Sequence, residues 1–102
     1  MNTATQLSGL DKWRALVLSF PELRKHLDAD VLPEDLARWL RGPAVTSGSL
    51  WAGRFCLLVW SGDVKSAAFW RAGPFDVVTA MSVWDWEHRA AFLAWCQAPW
   101  WP

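Results

Sequence analysis

The sequence predicts an all-α fold, a compact single-domain bundle of about five to seven short helices. Three observations lead there. Apolar residues recur at helical spacing in the first 42 residues and again after residue 85. Proline sits where helices would open, and Gly–Pro pairs sit where they would close. Ser8, Ser49, Asp63 and Asp85 stand at capping positions ahead of the helical runs. An alternative stays open, an α+β fold with a small antiparallel sheet formed within residues 50–84.

Ser8, with Asp11 three residues on, caps a helix over residues 9–19 whose Leu10, Trp13, Leu16 and Val17 share a face with Phe20. Pro21 opens a short helix through Leu23 and Leu27 to Asp28, and Pro33 opens another at 33–41 that Gly42–Pro43 ends. Residues 43–49 are a connection. Leu50 to Trp60 is apolar on nearly every side. Capped by Ser49 and closed at Gly62 it makes a central helix; from Arg54 to Trp60 it also suits a buried strand, and the downstream signals favour the helix. Asp63 caps a helix from Lys65 to Ala72, stopped at Gly73–Pro74. Pro74 to Val83 carries both periods. Phe75, Val77, Thr79, Met81 and Val83 would share one face of a strand. In a helix, Asp76, Thr79 and Ser82 would oppose Val77, Val78, Met81 and Trp84.

The last helix, residues 85–97 behind Asp85, has two apolar stripes: Trp86, Ala90 and Leu93, and His88, Phe92 and Trp95. A surface helix needs only one such stripe, so either this helix is central or its second face meets a partner. The chain reads as one globular domain at 9–102 behind a flexible segment at 1–8.

Composition narrows the function classes. Ten of the 102 residues are tryptophan, eight of them after residue 50. Tryptophan fills cores and anchors interfaces. The ten basic residues, seven of them arginine, balance ten acidic ones, without a basic run or acidic tail, which disfavours nucleic acid. The alternative source of the arginine and tryptophan is a GC-rich coding sequence, consistent with fourteen alanines and no isoleucine or tyrosine. No leader pattern appears, and Arg54, Asp63, Lys65, Arg71 and Asp76 interrupt every apolar stretch, pointing to a soluble cytoplasmic protein that does not engage a membrane. Cys56 and Cys96, outside any CxxC pattern, read as two reduced, buried thiols.

No catalytic, cofactor or metal site is expected. His26 and His88 are isolated, and no Gly-x-Ser-x-Gly elbow or glycine-rich phosphate loop is present. The sharpest feature is the tail Pro99–Trp100–Trp101–Pro102. Its rings either enter a partner's groove or fold back over the domain's own core. The expected function is a small tryptophan-rich protein-interaction module, an adaptor, inhibitor or subunit rather than an enzyme. Trp95, Trp100 and Trp101 would anchor a protein partner, with Arg89, His88 and Phe92 beside them. Two alternatives remain: a helix-turn-helix DNA-binding regulator built on residues 33–60, and a homo-oligomer using the same apolar surface. The first is weak, because the turn is long and Arg54 is the only basic residue on the reading helix.

Overall fold

A computed structural model describes residues 8–63 and 65–102. It contains α1 (Gly9–Ser19), α2 (Pro21–Arg24), α3 (Pro33–Leu40), α4 (Ser47–Ser61), α5 (Ser66–Trp70), α6 (Val77–Val83) and α7 (Trp86–Gln97). No strand occurs among the described residues, so the all-α expectation holds and the small sheet is excluded from them. Of the expected flexible segment, residues 1–7 lie outside the described residues.

The ambiguous stretch is helical because both of its ends are closed by local hydrogen bonds. At the start, Thr46 Oγ1 accepts from the Ser49 backbone N–H while Ser49 Oγ accepts from the Thr46 N–H, a reciprocal capping box. Ser49 therefore lies inside the first turn, and the helix begins three residues earlier than its expected start at Leu50. At the end, Gly62 takes a left-handed conformation, φ +65°, and donates its N–H to the Leu58 carbonyl. Ser8 caps α1 by accepting from the Asp11 N–H, as the sequence suggested. The second helix is shorter than expected, stopping at Arg24, where the His26 N–H turns back to the Leu23 carbonyl.

α4 is the hub, packing against α1, α2, α3, α5 and α6. Its Ala52, Phe55, Cys56, Leu57 and Val59 are buried. Trp13 of α1 is 0% exposed; it donates Nε1–H to the Cys56 carbonyl at 2.8 Å and meets Trp60 edge-on at 5.7 Å. Phe55 stands among the rings of Phe20, Phe75, Phe92 and Trp95, with centroids 4.9–6.1 Å away. Edge-to-face pairs of this kind add to plain area burial. Burial pushes the Cys56 thiol well above its ordinary value, which keeps it protonated and inert. Cys96, by contrast, is exposed on α7, correcting the expectation of two buried thiols.

Two backbone details make the packing testable. A Cβ placed on Gly53 of α4 would come within 2.6 Å of both methyls of buried Leu40, so glycine there sets how close α3 approaches. Overpacking costs about 1–3 kcal/mol, while alanine gains about 1 kcal/mol over glycine in a helix. Gly53→Ala is thus expected to lower stability by about 1 kcal/mol net in urea melts, and Gly53→Val by more. Arg71, following α5, is the one non-glycine residue at positive φ (+57°) among the described residues. Relieving that conformation with Arg71→Gly is expected to raise stability by about 0.5–1 kcal/mol, read from the same melts.

Candidate protein-binding site

The terminal helix and the tail carry every residue marked as a candidate contact, and the structure distributes them over three environments. Asp85 caps α7 by accepting from the His88 backbone N–H at 2.9 Å, and its Oδ1 also meets His88 Nδ1 at 2.8 Å. His88 is 2% exposed, flanked by Phe20 and Trp84, and its Nε2 accepts from the Glu22 backbone N–H at 3.3 Å. That bond assigns the ring proton to Nδ1. With Nε2 already engaged and the ring sealed from solvent, the Asp85–His88 pair fastens α7 to the start of α2. Phe92 is likewise turned inward, edge-on to Phe55 at 4.9 Å and beside Trp84.

Arg89 is exposed along its length but commits Nε to the Met81 carbonyl at 3.1 Å, tying α7 to α6. Trp95 sits between interior and surface. It packs edge-on to Phe55 at 5.3 Å and donates Nε1–H to the Trp100 carbonyl at 3.1 Å. That bond turns the tail back. Trp100 becomes half-buried beneath the Lys12 ammonium, 4.9 Å above its ring. Trp101 stands edge-on to Trp95 at 5.3 Å and is 59% exposed, beside Gly62 at the end of α4.

Two apolar grooves result, with Trp95 in the wall of each. One, about 350 Å³, runs between α1 and α7, lined by Lys12, Ala15, Leu16, Ala91, Ala94 and Trp100 in addition to Trp95. The other, about 260 Å³, lies between the end of α4 and the tail, with Phe55, Leu58, Phe75 and Trp101 among its walls. Of the candidates named from sequence, Trp95, Trp100 and Trp101 are brought together; His88, Phe92 and Arg89 are held elsewhere by internal contacts. The groove residues of α1 and α4 carry no local signal in the sequence, because only the return of the tail makes them neighbours.

Sequence reasoning also passed over the most exposed tryptophan. On α7 the stripe of His88, Phe92 and Trp95 faces the core, whereas Trp86 is 75% and Leu93 47% exposed on the outer stripe with Ala90. The helix is peripheral, and its unpartnered face is the first stripe rather than the second. The helix-turn-helix alternative loses its reading helix, since α4 is the interior hub and Arg54 donates Nε to the Ala72 carbonyl at 2.6 Å. Among the described residues no group of three His, Cys, Asp or Glu side chains converges as a metal site would. No described helix is long and apolar enough to cross a membrane.

Comparison with protein-family models, curated proteins and solved structures finds no match for this chain.

The electrostatics of the α7 cap give a pH prediction. Hydrogen bonds from the His88 backbone and side chain hold the Asp85 carboxyl below its ordinary value. Such a group contributes stability that is complete above its unfolded pKa, about 4, and is lost as pH falls through the lower folded value. Urea midpoints should therefore drop on acidification below about pH 4. Asp85→Asn, which still caps but does not titrate, should show a shallower drop in that window; parallel curves would contradict the assignment.

Proposed function

We propose that this chain is a cytoplasmic protein-interaction module without catalytic activity or cofactor, receiving apolar side chains of a partner protein in the paired grooves beside Trp95. The supporting observation is the exposed ring of Trp101 poised between solvent and a groove whose far walls are Phe55 and Phe75. Each groove has room for a few side chains, not for a large cofactor. Aromatic anchors in apolar depressions are where interface energy concentrates. Lys12, over Trp100 at the rim of the larger groove, favours a partner segment with an acidic residue next to its apolar anchors.

The test is selection of displayed random peptides on the immobilised protein, followed by affinity measurements with synthetic versions. The selected peptides should carry apolar anchors flanked by acid. Trp101→Ala, and Ala94→Glu in the other groove, should each weaken binding by about tenfold or more. Peptides without apolar anchors, or affinities indifferent to both substitutions, would refute the reading.

A further inference from the structure

A third depression in the molecule is built around a cation. The connection from α5 to α6 lies against α4, and between them is a recess of about 50 Å³ walled by Leu57, Leu58, Ala67, Trp70, Pro74 and Phe75. Arg54 is the one ionisable side chain among its described walls. The recess shares Leu58 and Phe75 with the smaller groove, but Arg54 and Ala67 line neither groove.

The Arg54 guanidinium is held in place from several directions. Nε donates to the Ala72 carbonyl, and the Trp51 ring lies 4.7 Å from Cζ. Gly73, at φ +88°, comes so close that a Cβ there would stand 2.6 Å from Cζ. Nη1 and Nη2 meet no hydrogen-bond acceptor among the described residues, whereas Arg14, Arg24, Arg38 and Arg41 each spend a terminal nitrogen on a carbonyl or carboxylate. Asp76, one residue beyond the wall residue Phe75, directs its Oδ2 to the N–H and hydroxyl of Thr79 instead. Arg54 thus presents an oriented end-on fork without a counter-charge. Partial burial holds its pKa below the ordinary arginine value, a cost that an adjacent anion offsets. We infer that this recess is a binding site for a small monocarboxylate, its oxygens on the Arg54 fork and its one or two further carbons against the apolar walls.

Size, lining and charge select that class. Each bound water needs roughly 10–15 Å³ of such space, so the recess admits about four or five non-hydrogen atoms, the size of acetate or propionate. A carboxylate meets a guanidinium through two parallel hydrogen bonds. A phosphate dianion brings further charged oxygens that Leu57, Trp70 and Phe75 leave unsatisfied. Arg41, bonded to the Trp70 carbonyl, and Arg71 add positive charge around the connection. A free short-chain acid and the C-terminal carboxylate of a peptide share this chemistry.

Nuclear magnetic resonance titration at constant ionic strength tests the site, with propionate as the probe and the Trp51 and Trp70 indole N–H signals as reporters. These signals should move saturably with a Kd of about 1–10 mM, the scale open to so small a ligand. Propionamide and phosphate should bind about tenfold more weakly or worse. Arg54→Gln should abolish saturation. Because that variant also loses the bond to Ala72, Ala67→Leu serves beside it: leucine fills the recess, keeps Arg54 and suits a helix. It should weaken propionate by about tenfold or more, with urea melts showing both variants folded. Short peptides ending in alanine, with free or amidated ends, separate the two sources. A free-ended peptide that binds more tightly than propionate identifies a chain end; one that does not identifies a free acid. Absence of saturable binding by both carboxylates, equal shifts from propionamide or phosphate, or undiminished binding by Ala67→Leu would overturn the inference.

Discussion

The structure depends on the need to cover α4 on every side. A helix apolar nearly all round has no face to offer water, and five short helices pack around it while α7 reaches it through Phe92 and Trp95, where one sheet or one long helix would leave a flank open. Most of these are too short to persist alone, and they hold their form through contact with the hub and through caps. Trp13 shows the arrangement in miniature. Its ring fills the space between α1 and α4 while its N–H satisfies a carbonyl of the hub helix itself.

Much of the unusual composition is absorbed by that construction. Trp70, Trp84 and Trp95, like Trp13, direct their N–H groups to oxygen acceptors, and only Trp86 and Trp101 among the ten indoles are exposed. Arginine has a parallel internal use. Arg14, Arg24, Arg41, Arg54 and Arg89 each donate to backbone carbonyls at the ends of helices or in loops. A guanidinium reaches and orients toward such carbonyls with several fixed donors, which an ammonium lacks. Arg54 adds a stacking contact over Trp51 at 4.7 Å, and partial burial lowers its pKa, with no carboxylate partner within bonding range among the described residues. Among the described residues no buried side-chain nitrogen or oxygen lacks a hydrogen-bond partner.

Legibility in the sequence followed the range of the interaction. Ser8 and Asp85 announce their helices because a cap oxygen and the backbone N–H it accepts from lie three residues apart. Leu50–Trp60 stayed ambiguous because an all-round apolar stretch has no period to read; Thr46 and Gly62, just outside it, settle the matter. The two stripes of α7 were visible, yet their inward or outward sense was not. Periodicity states that faces exist, and only the positions of Phe20, Phe55 and Glu22, far away in the chain, choose between them. Trp95, Trp100 and Trp101 were found as a group because they are close in sequence. The α1 and α4 walls of their grooves were not, because they meet the tail across most of the chain's length.

That last contact governs how the molecule opens. Trp100 under Lys12, Trp101 beside Gly62 and Pro102 against Gly9 bring the two ends of the described chain together, closing the longest loop the fold contains. Closure entropy grows only slowly with loop length, so the clasp costs little more than a shorter one. It is also held by few bonds, all near the surface. The tail can therefore detach without uncovering α4. Each such excursion removes the Trp100 wall of one groove and the Trp101 wall of the other together. The two grooves are accordingly not independent vessels: they form and vanish as a unit, and anything that fills one holds the other in shape.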